Sequence, residues 1–171
     1  TAALWPDLDE RSAGNNLGVT LHDLLELLEP WRRPGEPAFY VRSEGPTLQL
    51  VTGEHLRIDV DDFDEHLARA ARAEVDGSPS IALDHNLAAV ELYRDLLFVD
   101  LPDAEWQLVD RERCRVRFVQ AAVRAGQLLL GQGDADRAHA VAHRALDADP
   151  WAGDAYAVLV GGALAPGDRS G

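Results

Sequence analysis

From Val119 to Ala152 the chain carries small residues at helical spacing between two stops. Gly126 is followed three residues on by Leu129, and Gly133 interrupts the apolar run. Ala138, Ala142 and Ala145 then recur at steps of four and three, and Pro150 ends the segment. Two antiparallel helices approach closely only where side chains are small, and Gly and Ala supply that condition. The spacing therefore predicts a tight helix pair, with Gly126, Leu129, Ala138, Ala142, Ala145 and Pro150 at its packing and Gly133 at its turn. A poorer echo lies earlier, at Gly77, Ala82, Asn86 and Ala89.

The repeated spacing resembles a tetratricopeptide repeat, and it makes residues 61–171 an all-helical, tetratricopeptide-like domain. Such repeats usually bind protein surfaces and rarely perform chemistry. The intervening sequence agrees. "DDFDEHLARAARAEVDG" has acids in its first turn, suited to the helix dipole, and Gly77 at its end. "SPSIALDHNLAAVELYR" starts near Pro79 and puts Ile81, Leu83, Leu87, Val90 and Tyr93 on one stripe. The long run from Leu101 predicts a helix with Asp103 as N-cap and a stop at Gly131 to Gly133. "ADRAHAVAHRALDADP" and "WAGDAYAVLVGGALAPGD" make a shorter pair, and the tail "GDRSG" reads as frayed.

Residues 1–60 read differently. A helix is predicted from Arg11 to Leu28, with apolar Leu17, Val19, Leu21, Leu24, Leu25, Leu27 and Leu28 mostly at steps of three and four. "PWRRPGEP" cannot be helix or central strand, because of its prolines. Apolar runs flank "SEGPT", which has the chemistry of a hairpin turn. "HLRIDV", residues 55–60, alternates and predicts a third short strand. Leu24, Leu28, Tyr40 and Leu50 are expected to be buried together between helix and hairpin. The other face of the helix carries Asn15, Asn16, Thr20 and His22, made acidic by Asp23, Glu26 and Glu29.

Composition limits what this face can meet. The formal net charge is −14, and every basic residue is Arg. An acidic total argues against broad attraction to nucleic acid or to an anionic membrane. Hydrophobic residues make up 46%, enough for a core. Cys114 is the only cysteine, which excludes an intrachain disulfide and a Cys-rich zinc site and fits a reducing cytoplasm. No apolar run is long enough for a bilayer, and no leader opens the chain. The start at Thr1, with no Met anywhere, predicts a piece of a longer protein.

Other constellations have plainer readings. Asp59, Asp61, Asp62, Asp64 and Glu65 invite calcium, but Phe63 breaks the alternation and Asp64 stands where an EF-hand loop needs glycine. They read as acids favouring a helix start. His139 and His143, four apart, lack a third ligand and read as an exposed helix face. Cys114, among arginines, reads as a half-buried helix residue, and Trp106 and Trp151 as staples at helix starts. "GQGD" is an interhelical turn without the lysine of a phosphate loop. No catalytic set, metal site or cofactor is expected.

The segments "LWPD", "NNL.V.L..L...LEP", "FYVRSEG...L", "DVDDFDEHLARA", "AVELYRDLL", "EWQLVDRERCRVRFVQA" and "AHRALDADPW" occur in order from Leu4 to Trp151. As an ensemble they resemble the bacterial transcriptional activator domain of actinobacterial antibiotic regulatory (SARP-type) proteins. The resemblance implies a mostly α fold. Residues 1–60 would be the C-terminal part of an OmpR-type winged helix, a helix plus β-hairpin, followed by the tetratricopeptide-like domain at 61–171. Arg11–Leu28 would be the recognition helix and Phe39–Val51 the wing, with two earlier helices outside this sequence. Family members often carry Arg near the positions of Gly18, Asp23, Leu25 and Glu26, which is not the case here. The surviving DNA-binding candidates are Asn15, Asn16, Thr20 and His22 on the helix, and Arg42 and Ser43 on the wing. The expected role is a transcriptional regulator, not an enzyme, with weak DNA contact and a protein partner or self-association through the helical repeats. The alternative is an interaction module whose winged helix has lost DNA binding.

Overall fold

Helix starts and stops set the architecture. The computed structural model describes residues 3–101 and 105–164. Among them are six α-helices and one two-stranded antiparallel sheet. The helices are α1 (Glu10–Leu28), α2 (Asp59–Val75), α3 (Pro79–Leu92), α4 (Leu108–Gly131), α5 (Ala135–Ala148) and α6 (Gly153–Leu164). The strands are β1 (Val41–Glu44) and β2 (Thr47–Leu50). The mostly α fold, with a small hairpin ahead of an all-helical region, is the one expected. The chain divides into two compact units, Thr1–Ile58 and Asp59–Gly171.

In the first unit, Asp9 caps α1. Its carboxylate accepts from the Ser12 N–H at 3.0 Å and from the Ser12 hydroxyl at 2.8 Å. The helix ends at Glu29, ahead of Pro30. Gly45 and Pro46 join the strands, with Val41 opposite Leu50 and Glu44 opposite Thr47. The third strand expected at 55–60 does not form. Only an isolated bridge, Gly53 to Leu56, is present, and Asp59 and Val60 already belong to α2. The helical spacing of Val60, Phe63, Leu67 and Ala70, with acids at the helix start, outweighs the short alternation.

The expected burial of Leu24 and Leu50 is also not found, since each is 39% exposed. Leu28 and Tyr40 are partly covered. A groove of about 450 Å³, lined by Leu21, Leu25, Val41 and Leu48 among others, lies between α1 and the hairpin. The tie between them is polar. Glu29, 3% exposed, accepts from the backbone N–H of both Phe39 and Tyr40 at 2.8 Å through one carboxylate oxygen. Its other oxygen meets the Arg32 guanidinium at 3.5 Å. Glu29 therefore belongs to the interior of this unit and not to the acidic face of α1.

In the second unit each helix packs chiefly on its chain neighbours, and α4 also meets α6. Gly77 and Gly133 stop α2 and α4 at φ of +69° and +80°, a backbone region that glycine enters without penalty. The N–H after each glycine reaches back to the helix, Ser78 to the Ala73 carbonyl and Asp134 to that of Leu129. Pro79 opens α3 and Asp134 caps α5. A 3₁₀ turn, Glu105–Gln107, leads into α4. The Asp103 cap and the 167–171 tail expected from sequence lie outside the described residues.

The central helix is α4. Phe118, Ala122, Ala125 and Leu129 are at most 1% exposed. On α3, Leu83 and Val90 are buried, but Ile81 is 51% exposed and leaves the predicted stripe. Trp151 is 91% exposed and staples nothing in this unit, while Trp106 leans on Phe98 with ring centroids 5.2 Å apart. No described helix is long and apolar enough to cross a membrane.

Candidate functional site

Two surfaces correspond to the sequence candidates, one in each unit. On α1, Asn15, Asn16, Thr20 and His22 are all exposed. Asn16 and Thr20 share a face by their i, i+4 spacing. His22 Nε2 lies 3.4 Å from a Glu26 carboxylate oxygen, and both side chains are well exposed. Asp23 is exposed beside them, and nothing stands within 4 Å of where a Gly18 side chain would start. Arg42 and Ser43 sit on β1, opposite Gln49 and Leu48, and line the groove against Leu21 and Leu25. None of the four α1 candidates lines that groove. The structure thus groups the candidates into two sets, helix and hairpin.

In the helical unit the small residues do make a close crossing. A Cβ at Gly126 would stand 2.7 Å from one Val158 methyl and 3.5 Å from Val141, so α4, α5 and α6 meet there. Ala138, Ala142, Ala145 and Leu129 are 0% exposed. Pro150 is exposed past the end of α5, and its carbonyl accepts from the Tyr156 hydroxyl at 3.2 Å. Gly162 is a second close approach, because a side chain there would run into His139. Sequence reading missed it, although two consecutive glycines inside a helix are the signal. His139 is correspondingly not on an exposed face. Its Nε2 is 3.1 Å from the Leu159 carbonyl, which can only accept, so that nitrogen carries the proton.

Arginines link helices far apart in the chain. Arg117 pairs with Asp64, and Arg124 with Glu74 at 2.6 Å. Arg115 meets Asp149 at 3.0 Å and Glu112 at 2.7 Å, and these two acids hold its guanidinium protonated beyond its usual range. Asp149 is in turn held below the usual carboxylate range, first by the Trp151 N–H and then by Arg115. Arg144 donates to the Val90 and Tyr93 carbonyls, each at 2.8 Å, and to Glu91 at 2.9 Å. Asp64 of the acidic run is therefore engaged in packing. No three His, Cys, Asp or Glu side chains among the described residues gather as a metal site. Cys114 is fully buried rather than half-buried, and burial pushes its thiol pKa up, away from reactivity.

A stack of helices crossing on small residues and tied by ion pairs defines an α-helical scaffold domain. Residues 58–170 match the model of the bacterial transcriptional activator domain, and the chain belongs to that family. The family is a regulatory one, which makes the helical unit part of a transcriptional regulator. Comparison with curated proteins and with solved structures returned no match.

Proposed function

We infer that this chain is a piece of a SARP-type transcription regulator, a partial winged helix followed by tetratricopeptide-like repeats, acting in the cytoplasm. In this reading the helical unit serves protein contact or self-association. The helix and hairpin of residues 1–60 touch DNA weakly or not at all. The observation that carries the reading is the face of α1. His22 sits against Glu26, Asp23 lies beside it, and Gly18 offers no side chain, so the surface aimed at phosphates would be acidic. Asn15, Asn16 and Thr20 can still meet base edges, and Arg42 and Ser43 a backbone, but like charge opposes their approach.

Fluorescence anisotropy with a labelled duplex at several salt concentrations tests this. The expected outcome is weak binding with a shallow salt slope. Asp23→Arg with Glu26→Arg should raise affinity and steepen the slope by roughly one per new phosphate contact. Tight binding by the unaltered chain with a steep slope overturns the reading. A second reading, a protein-docking α1, draws on Val19 and Leu27, which are 61% and 81% exposed. It expects no duplex binding even in the double variant.

A further inference from the structure

The segment between α3 and α4 turns apolar side chains outward. Leu96, Phe98, Val99, Leu101, Trp106 and Val109 are all exposed, Val109 the most at 77%. Exposed apolar residues scattered singly are ordinary, but a contiguous group marks an interaction surface. These are grouped. The Phe98 and Trp106 rings lie 5.2 Å apart, and Leu96 and Phe98 also line an open cavity of about 220 Å³. Val60, Phe63, Leu92 and Leu97 make the rest of its apolar wall, and all of it lies within the helical unit. For scale, a cavity of about 150 Å³ in another protein accepts benzene, so one leucine or phenylalanine side chain fits here.

The backbone beneath this surface is fixed. Arg111 donates to the Leu97 and Phe98 carbonyls and to the Gln107 side chain, each at 2.9 Å. Gln107, itself buried, donates to the Leu101 carbonyl. Phe98 is the one described non-glycine residue with positive φ, at +54°, a conformation that a bulky residue keeps only when its surroundings impose it. Its ring is therefore displayed by a pinned turn, and a pinned surface loses little freedom on binding.

Acids ring the surface. Asp59 and Asp95 line the cavity against a single arginine, Arg94. Asp100 and Glu105, on the segment itself, are exposed. Of the neighbouring cations, Arg111 is committed to carbonyls and Arg113 is paired with Asp110 at 3.0 Å. A second copy would bring the same acids face to face on a chain of net charge −14, and an anionic membrane or a duplex would be repelled as well. The complement is basic. Among the described residues this unit contains no strand, so an extended partner finds no edge to pair with, and the remaining mode is a helix laid along an apolar surface.

Resting on the reading of the helical unit as a protein-contact domain, we propose that this surface docks a basic amphipathic helix of a partner protein. One large apolar side chain of that helix enters the cavity, and its lysines or arginines meet Asp95, Asp100 and Glu105.

The probe is a fluorescein-labelled peptide of leucine and lysine patterned as an amphipathic helix. It is titrated into the 171-residue chain by anisotropy and, unlabelled, into the ¹⁵N-labelled chain by NMR. Saturable shifts should appear at Leu96, Val99 and Val109, and affinity should fall with added salt. A scrambled peptide of the same composition should bind about tenfold more weakly, because it presents no apolar face. Phe98→Asn removes the ring but keeps a residue that tolerates positive φ, and it should also cost about tenfold. Asp100→Asn with Glu105→Gln should weaken the peptide and flatten its salt dependence. Asp76→Asn with Asp136→Asn, at the far ends of α2 and α4, removes as much charge and should change neither. Circular dichroism checks that each variant keeps its helices, and Val109→Ser replaces Phe98→Asn if that variant does not. Equal binding of the scrambled peptide, equal effects of the two charge pairs, or shifts scattered over the surface overturn the docking site. Sedimentation velocity of the chain alone reads the other occupant. A dimer that Val109→Ser dissociates assigns the surface to a second copy and overturns the basic partner. No peptide binding beside a dimer formed elsewhere overturns this surface alone, whereas no peptide binding and no dimer leaves the protein-contact reading without support as well.

Discussion

The two units hold themselves together by different means. The helical unit has an apolar interior running from Phe63 through Phe118 and Leu129 to Val158. In the described part of the first unit, Ala13 is the sole apolar residue that is fully buried. There the buried group that joins helix to hairpin is a carboxylate, Glu29, accepting two backbone N–H groups. One unit gains from area removed from water, the other from a few directional bonds. The same kind of side chain therefore carries opposite weight in each. A leucine on α1 is partly surface, whereas an alanine on α5 sits at a steric crossing.

The largest expected break is Phe118→Ala. It removes a fully buried ring stacked on Tyr93 and should cost the helical unit about 3–5 kcal/mol, read as a lowered midpoint in thermal or urea melts followed by circular dichroism. Glu29→Ala should cost the first unit about 1–3 kcal/mol, because the Phe39 and Tyr40 N–H groups lose their acceptor. Amide exchange should quicken at those two residues and stay unchanged in α4.

A pH effect should separate the units next. His66 Nδ1 and His85 Nδ1 are 3.0 Å apart between α2 and α3, so one ring must donate and the other accept. Burial, and then His85, lower the His66 pKa from its ordinary 6.5. Asp62 and Glu65 act in the other direction and Arg69 in the same one, all of them weaker. The unfolded chain thus binds the proton more readily than the folded one. Stability is full above pH 6.5 and falls as pH drops below it. Melts of the helical unit should shift down between pH 7.5 and 5.5, and His66→Gln should flatten that shift. The lowered carboxylates Asp149 and Glu112 titrate below this window and do not confuse it. The smallest effect is expected from Leu24→Ser, within about 0.5 kcal/mol, because that leucine is already 39% exposed. A loss as large as that of Glu29→Ala would mean the first unit has an apolar core after all.

Legibility in the sequence follows the same division. Helix stops at Gly77 and Gly133 and the small residues on α4 and α5 are local signals, and periodicity exposes them. The failures are contacts between distant residues. Arg124 meets Glu74 across 50 positions and Arg144 meets Glu91 across 53, which no spacing rule reports. Glu29 looked like one more acid on a polar face, and only the return of the chain at Phe39 makes it interior. The positive φ of Phe98 is not legible either, because a bulky residue there goes against its local preference. The division of the DNA candidates into a helix set and a wing set follows from the sequence, whereas the separation of the helix set from the groove against the hairpin does not.

Arg144 has one more consequence. Its guanidinium, on α5, occupies the carbonyls that close α3, so α3 finishes its last turn with atoms borrowed from a helix some fifty residues later. An array of independent hairpins can fray one pair at a time from either end. Here, detaching α5 strips the end of α3 as well. The terminal amides of α3 and the amides of α5 should then open as one cooperative block, with a common free energy of exchange, and the stack behaves as a single melting unit.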